Sequence, residues 1–306
     1  MIAIVAPGQG SQTPGMLQPW LDLDGAEATI RWMSTLTGLD LLRLGTSAEA
    51  DEIKDTAITQ PLVVCLALLA FEQLKIPNRD NVIVAGHSVG ELAAAAMAGA
   101  LHRDSAVALA AVRGGAMANA CALAKTSMAA VVGGDREEVI HAIEAAGLSA
   151  ANVNGGGQIV AAGTAEQIAA LVADPPPKAR VISLPVAGAF HTKYMQPAMQ
   201  IMTSIRDGIP TADPTVRLLS NADGTAVSSG ADYLTRLVSQ IVSPVRWDLC
   251  MQTMLDAGVS AMIELPPAGA LTGLARRGMK GVKTLAIKTP DDLAAAHQLI
   301  SDSAAS

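Results

Sequence analysis

The chain has 306 residues, half of them hydrophobic, and its formal net charge is −7 at pH 7. This acidic balance argues against a nucleic-acid-binding protein, which would carry a basic domain, so we predict no nucleic-acid partner. Aromatic residues make up only 2% of the chain, and the core is therefore expected to consist mainly of Ala, Val, Leu, Ile and Met. The length is sufficient for one large domain or two modest ones.

The hydrophobic patterning predicts neither a membrane span nor a signal peptide. The two longest apolar runs, 62–71 and 92–101, are ten residues each, too short to cross a bilayer. The first residues have no basic leader, and 2–6 is predicted to be a buried strand. The three cysteines lie far apart and are interpreted as reduced core thiols. No Cys or His cluster has metal-ligand spacing, so we predict no bound metal. Because neither a membrane span nor a signal peptide is predicted, we expect a cytoplasmic protein without a membrane partner.

A glycine-rich loop, residues 7–12, follows the first predicted strand. It does not fit a dinucleotide-binding loop, because Thr13 stands where the third glycine of G-x-G-x-x-G would fall. It does not fit a phosphate-binding loop either, because no Gly-Lys-Ser/Thr follows. We interpret it as a tight loop whose backbone N–H groups can point into a cleft and act as a second oxyanion donor.

The segment from 17 to 60 is predicted to contain several helical stretches. The Thr-Gln-Pro sequence at 59–61 is predicted to open another helix, because proline fits the first helical turn. Gln60 then lies just before that helix, where it either faces the cleft or is solvated in a loop.

The central motif of the chain is Gly-His-Ser-Val-Gly at 86–90. It follows a β-branched run at 82–85, typical of a buried strand, and precedes an apolar run at 91–101, predicted to be a buried helix. A nucleophilic serine at the apex of a sharp strand-to-helix turn is strained, and the close return of the chain requires glycine two residues before and after it. The pattern predicts Ser88 as a nucleophile, with an ordinary turn of small residues as the alternative.

Residues 104–122 are predicted to form a helix with apolar residues on both sides of Arg113. An arginine in this position is expected to be buried, and a buried arginine needs an anionic partner. The partner is either a carboxylate of the protein, in a structural ion pair, or an anionic substrate. The helix pattern leaves both alternatives open.

The middle of the chain has its own order of elements. Strands are predicted at 128–132, 150–154, 158–162 and 180–184, and helices at 135–146 and 165–173. This β-α-β-β-α-β order over about sixty residues is that of a ferredoxin-like unit inserted in a larger α/β domain. We therefore predict a small subdomain at 127–186 and a large catalytic subdomain formed by 1–126 and 187–306.

The last third alternates predicted strands and helices, with strands at 216–220 and 261–265 and helices at 232–240 and 247–257. His191 lies in a loop of small residues at the return from the insert to the main domain. The segment 273–288 carries five basic residues and no acidic one. On an acidic protein such a run indicates a docking patch, the alternative being a solvated face.

Eight motifs in this order resemble the malonyl-CoA:acyl carrier protein transacylases of type II fatty acid synthesis, most closely the actinobacterial members. The motifs lie at 7–12, 59–61, 86–91, 113–114, 152–154, 188–191, 243–247 and 266–273. The family fold is an α/β-hydrolase-like large subdomain with an inserted ferredoxin-like small subdomain, which agrees with the order of elements predicted above.

The resemblance implies a catalytic role for several matching residues. Ser88 would be the nucleophile and His191 its general base, oriented by a backbone carbonyl near Gln240. No acid between Ser88 and His191 stands out as the third member of an esterase triad, so a dyad is the consistent interpretation. The backbone N–H groups of Gln9 and Val89 would form the oxyanion hole.

The resemblance also implies the residues that bind the acyl group. Arg113 would hold the free carboxylate of a malonyl group through a bidentate pair, which a lysine could not reproduce. Gln60 and Asn152 would line the pocket. Phe190 stands where some bacterial members have a small residue, and its ring would crowd an α-methyl group, so we expect discrimination against methylmalonyl.

The implied reaction is a ping-pong transfer of malonyl from malonyl-CoA to the phosphopantetheine thiol of acyl carrier protein, by a monomer that needs no metal or bound redox cofactor. Three alternatives remain open at this point. The chain could be a serine hydrolase such as an esterase or thioesterase, or a non-catalytic acyl-CoA-binding or carrier-docking module. It could also be the equivalent transacylase subunit of malonate decarboxylase.

Overall fold

The computed structural model describes residues 1–76 and 79–304. The strands are β1 (Ile2–Ala6), β2 (Val82–Gly86), β3 (Thr126–Gly133), β4 (Ser149–Gly155), β5 (Gln158–Thr164), β6 (Ala179–Ser183), β7 (Arg217–Leu219), β8 (Ala226–Val227), β9 (Val245–Arg246), β10 (Ala261–Glu264) and β11 (Lys283–Ala286). The helices are α1 (Ala26–Thr37), α2 (Leu41–Thr46), α3 (Thr56–Leu74), α4 (Gly90–Met97), α5 (Arg103–Ala122), α6 (Arg136–Ala145), α7 (Ala165–Ala173), α8 (Gln196–Arg206), α9 (Gly230–Gln240), α10 (Trp247–Asp256), α11 (Ala270–Gly278) and α12 (Leu293–Ala304).

The larger of two sheets has the strand order β11-β10-β1-β2-β7-β8, and all its pairs are parallel except β7 with β8. Every residue of β1 and β2 is buried, as expected for central parallel strands covered on both faces. Because these two strands are parallel neighbours, the loop after β1 and the turn after β2 leave the same edge of the sheet. This edge is where ligands bind in open α/β sheets.

The smaller sheet has the order β6-β3-β5-β4-β9. Its first four strands and the helices α6 and α7 follow one another as β-α-β-β-α-β, which confirms the predicted order of elements. The two-residue strand β9, too short to show a sequence pattern, pairs in parallel with β4 and ties the small sheet to the rest of the chain. The exact division into 1–126, 127–186 and 187–306 stays a prediction.

Helix α3 differs from its prediction in length and start. It begins at Thr56, because the Asp55 side chain accepts the N–H of Ala57 and caps the helix there, and Pro61 lies inside it. The helix therefore extends beyond the apolar run that was expected to be too short for a membrane. Among the described residues it is the one helix long and apolar enough to span a membrane. Of its most apolar 18-residue stretch, 72% is buried inside the molecule, which is typical of a core helix.

Other differences are smaller. Helix α4 ends at Met97, before the predicted boundary, because Gly99 with φ of 76° turns the chain. Helices α8, α11 and α12 and strands β8 and β11 have no counterpart among the predicted elements. All three cysteines are free, but Cys121 is only partly buried, unlike the fully buried Cys65 and Cys250.

Candidate active site

Ser88 lies at the turn between β2 and α4, and its backbone has the strained φ of 54°. A Cβ atom on Gly86 would lie 2.0 Å from the carbonyl carbon of Gly90, and one on Gly90 would lie 2.4 Å from the carbonyl oxygen of Ala6. Neither contact is sterically possible, so both glycines are required by the tight return of the chain. The ordinary-turn alternative does not explain this geometry, which is that of a nucleophile elbow.

The buried His191 reaches Ser88 from a second strained position, with φ of 60°. Its Nε2 atom is 2.8 Å from Ser88 Oγ, and its Nδ1 atom is 2.8 Å from the backbone oxygen of Gln240. Because a carbonyl oxygen only accepts, Nδ1 carries the proton and donates it to Gln240. Nε2 is then free to accept the hydroxyl proton of Ser88, the arrangement that a general base requires.

Arg113 extends from α5 to the same point, and only 2% of it is exposed. Its guanidinium donates to Gln60 Oε1 at 2.7 Å and to Gln240 Oε1 at 2.8 Å, and one nitrogen lies 3.4 Å from Ser88 Oγ. Among the described residues no carboxylate forms an ion pair with it. Because a buried charge requires compensation, this arrangement is suited to an anionic ligand beside Ser88. We call Ser88, His191, Arg113, Gln60 and Gln240 the inner pocket.

The electrostatic environment sets the protonation states of the two basic side chains of the inner pocket, His191 and Arg113. Burial, together with the positive charge of Arg113, lowers the pKa of His191 to about 3, so its imidazole is neutral near pH 7. Burial lowers the pKa of Arg113 to about 10, which leaves the guanidinium charged at that pH. A neutral base and a fixed positive charge therefore lie on either side of the Ser88 hydroxyl.

Two backbone N–H groups next to the elbow lack a protein acceptor. Val89 is fully buried, and within residues 1–76 and 79–304 neither its N–H nor that of Gln9 donates a hydrogen bond. The loop of Gln9 packs tightly on the elbow, since a Cβ on Gly8 would lie 2.7 Å from the His87 carbonyl oxygen. A buried backbone donor without an acceptor, such as that of Val89, is rare, and Val89 directly follows Ser88.

A cleft of about 600 Å³ adjoins the elbow, lined by the loop after β1, His87, strands β4 and β5, and α11. We call it the outer cleft. Asn152 lines it with a buried Oδ1 atom that has no hydrogen-bond partner in the described part of the chain. Lys54 and Arg277 are basic residues in its lining. Phe190 is instead buried in the main apolar core, directly before His191.

Comparison with known proteins agrees with this geometry. The acyl transferase domain family matches residues 4–294. Malonyl CoA-acyl carrier protein transacylases of Mycobacterium tuberculosis and Mycolicibacterium smegmatis are 53% and 51% identical to this chain, over 96% and 93% of its length and 98% and 100% of theirs. The chain belongs to this transacylase family. It is an acyltransferase, and the predicted likeness to actinobacterial members is confirmed.

Solved structures of transacylases also have this fold of two sheets and surrounding helices. MCAT from Mycobacterium tuberculosis superposes with a TM-score of 0.94 at 52% identity, covering 97% of this chain and 99% of that one. A malonyl-transacylase in complex with a type II PKS acyl-carrier protein superposes with a TM-score of 0.90 at 28% identity, covering 97% and 99%.

The structure adds buried polar residues to the transacylase site that the sequence reasoning left without a role. Asn221 accepts the Ser88 N–H at 2.8 Å and donates to the Gly86 carbonyl oxygen at 2.8 Å, so it fixes both sides of the elbow. Glu91 accepts from Gln240 and from the Asn221 backbone, and its burial raises its pKa to about 8. The only sequence signal was the position of Asn221 after a predicted strand and of Glu91 at the end of the elbow motif.

Gln60 was the residue whose environment the helix pattern left most open. Since α3 begins before it, Gln60 is helical and 1% exposed, and it contacts Arg113. The loop alternative for this residue is therefore wrong. In the described part of the chain no group of three His, Cys, Asp or Glu side chains is arranged to hold a metal ion.

Proposed function

We propose that this chain transfers the malonyl group of malonyl-CoA to the phosphopantetheine thiol of acyl carrier protein for fatty acid synthesis, through a malonyl ester on Ser88. The observation that carries this proposal is the hydrogen-bonded pair of Ser88 and His191 beside the buried, positively charged Arg113. The first two groups form a nucleophile and its base, and the third selects an acyl group that ends in a carboxylate.

In the first half-reaction the Ser88 hydroxyl attacks the thioester carbonyl and its proton passes to His191 Nε2. The negative charge that develops on the carbonyl oxygen is stabilised by the free N–H groups of Gln9 and Val89. The carbon–sulfur bond then breaks, and coenzyme A leaves as the thiol with the proton from His191. The Gln240 carbonyl orients the imidazole and stabilises its protonated form during this step.

In the second half-reaction the thiol of the carrier enters along the outer cleft. It passes its proton to His191 and its sulfur attacks the ester carbonyl on Ser88. The carbon–oxygen bond to Ser88 then breaks, His191 returns the proton to Ser88 Oγ, and the malonyl thioester of the carrier is formed. Gln60 and Gln240 hold Arg113 toward the malonyl carboxylate, and Asn152 offers its unpaired oxygen to a donor in the cleft. The steps use only groups of this chain and its two substrates, so we propose that no cofactor is needed.

The finer features of the fold and setting are part of the same proposal. We assign the larger sheet and its helices to an α/β-hydrolase-like subdomain and the smaller one to a ferredoxin-like subdomain. The protein acts in the cytoplasm as a monomer, with acyl carrier protein as its macromolecular partner.

The basic segment at 273–288 is proposed as the face that meets the carrier. All five of its basic side chains are exposed, namely Arg276, Arg277, Lys280, Lys283 and Lys288. Arg277 also lines the outer cleft. A partner that docks here would therefore lie at the entrance through which its thiol must reach Ser88.

The proposal is tested by mixing the protein with malonyl-CoA in the presence and absence of acyl carrier protein that bears a free phosphopantetheine thiol. A transacylase gives one rapid equivalent of free coenzyme A, and turnover continues only when a carrier with a free phosphopantetheine thiol is added. Rapid continuous hydrolysis without carrier would instead identify a thioesterase. No release in either case would indicate a non-catalytic binding module.

A further inference from the structure

Glu91 is a buried carboxyl group in the first turn of α4 whose two oxygens both accept hydrogen bonds. Its Oε2 atom lies 2.5 Å from Gln240 Nε2, and its Oε1 atom lies 2.6 Å from the backbone nitrogen of Asn221. It is 1% exposed, so water does not compete for these contacts. Gln240 Nε2 also lies 3.2 Å from the Ser88 carbonyl oxygen and 3.3 Å from Asn221 Oδ1, so Glu91 is the nearest of three acceptors that fix which way the amide points.

The direction of that amide matters because its other end contacts Arg113. Gln240 Oε1 accepts from the guanidinium at 2.8 Å, while Nε2 faces Glu91. Turning the amide over would place its N–H donors against a cationic donor and its oxygen against the oxygen of Glu91. Both ends would then be unsatisfied in a buried site, which is costly.

The contact of Gln240 with His191 does not depend on this amide. His191 Nδ1 donates to the backbone oxygen of Gln240, not to its side chain. The side chain and backbone of one residue thus serve two different groups of the inner pocket. A change that releases only the amide should disturb Arg113 and leave the base in place.

We propose that Glu91 is a positioning residue which, through the Gln240 side chain, holds the Arg113 guanidinium in the orientation that receives the substrate carboxylate. The inference rests on the proposed function and assigns Glu91 a part in choosing the acyl group. Glu91 touches neither substrate nor reacting atoms. Its contact with Gln240 acts only on a substrate that reaches Arg113, whereas its contact with the Asn221 N–H supports the elbow for every substrate. A variant that keeps one acceptor oxygen can still receive the Asn221 N–H, which leaves the Gln240 contact as the one that is lost.

The test is Glu91→Gln, because a glutamine side chain has one acceptor oxygen and cannot receive both N–H donors. Labelling of Ser88 is followed at about pH 9, because burial raises the pKa of Glu91 to about 8 and its carboxyl group is ionised above that value. At this pH we expect KM for malonyl-CoA to rise about tenfold or more, the size expected for a hydrogen bond to a charged group. The rate of labelling by acetyl-CoA, which has no carboxylate, should change less than about twofold. Equal losses with both substrates would overturn the inference.

Glu264→Gln is the matched control. Glu264 is fully buried and its two oxygens accept the backbone N–H groups of Leu271 and Thr272 at 2.9 and 2.7 Å. It reports what the loss of a buried carboxylate does to the fold in general. We expect a lower melting temperature and an unchanged ratio of malonyl to acetyl labelling; a ratio that falls as far as in Glu91→Gln would contradict a specific role for Glu91.

A double-mutant cycle separates positioning from general damage. In an Arg113→Ala background the Gln240 amide has no guanidinium to orient, so adding Glu91→Gln should leave the malonyl-to-acetyl ratio unchanged. Additive losses would overturn the inference. If Glu91→Gln does not fold, Gln240→Leu removes the amide but keeps the backbone carbonyl for His191, and full malonyl preference in that variant would be equally contradictory. Absence of any label on the unmodified protein would refute the proposed function itself.

Discussion

The inner pocket and the outer cleft differ in how their polar groups are held. In the inner pocket Arg113 and His191 are buried and bonded to protein atoms at 2.7 to 2.8 Å. In the outer cleft Asn152 has an oxygen with no partner among residues 1–76 and 79–304, and Arg277 is exposed to solvent. Because charges interact more strongly away from water, changes in the inner pocket should alter reactivity and acyl choice by large factors. Changes around the cleft should alter binding modestly.

Arg113→Ala should give the largest effect, and it tests the electrostatic role of the inner pocket. We expect malonyl transfer to lose about 2–5 kcal/mol, because the substrate carboxylate is then buried without its partner. Acetyl transfer should suffer far less. Steady-state kcat/KM with the two thioesters measures the difference, and equal losses would show that Arg113 is structural.

Phe190→Ser should change the steric selection of the acyl group, whereas Arg113→Ala changes its electrostatic selection. Phe190 is buried next to His191, and its ring is proposed to crowd an α-methyl group. Removing the ring should raise the ratio of methylmalonyl to malonyl labelling by about 10–200-fold, the range for a change in pocket size. Competition between the two thioesters, followed by intact mass, gives the ratio. An unchanged ratio would place the selection elsewhere.

The pH dependence of acylation tests the electrostatic state of the inner pocket. In the proposed mechanism neutral His191 is the base, and its pKa is lowered to about 3 by burial and by the charge of Arg113. The neutral form therefore persists well below the ordinary histidine pKa of about 6.5. Acetyl-CoA labelling should keep its rate at about pH 5.5, where an ordinary histidine would lose roughly tenfold.

Arg113→Ala removes the larger of the two neighbouring groups, Arg113 and His87, that add to burial in lowering the pKa of His191. The acid limb of its acetyl-CoA labelling profile should therefore move to higher pH than in the unmodified chain. Acetyl-CoA is the suitable substrate, because it does not need the guanidinium. Identical profiles would show that Arg113 does not act on the base.

Reversing the charge of Arg276 and Arg277 should give the smallest effect and tests the rim of the outer cleft. We expect KM for the carrier to rise a few-fold, by roughly 1 kcal/mol or less, because exposed charges are screened. Reversing the charge of Arg276 alone, which does not line the cleft, should leave the rate of labelling by malonyl-CoA without carrier unchanged. An unchanged dependence on carrier concentration would exclude this face as the docking site.

The elbow and the small sheet could be predicted from the sequence for a simple physical reason. Gly86 is required by its contact with Gly90, within a few residues of Ser88, and the β-α-β-β-α-β order follows local periodicity. Gly90 is required by the close approach of Ala6 from β1, but it belongs to the same local glycine spacing. The resemblance supplied the pairing of Ser88 with His191, which are 103 positions apart. No local pattern carries such a contact.

One error has a local cause, and the other omissions arise from tertiary packing. The start of α3 at Thr56 is set by the Asp55 cap, and the local proline signal at Pro61 pointed to the wrong turn. The roles of Asn221 and Glu91 arise from contacts between elements far apart in the chain. A single sequence shows which polar residues are present, but it does not show which of them meet inside the core.

The most direct test of the proposed mechanism is the position of the acyl group on the enzyme. After a brief exposure to malonyl-CoA without carrier, peptide mapping should find one malonyl group on the peptide that contains Ser88. Ser88→Ala should carry none, while keeping its melting temperature. A malonyl adduct of equal yield on the Ser88→Ala variant, or on another residue of the unmodified chain, would contradict the account.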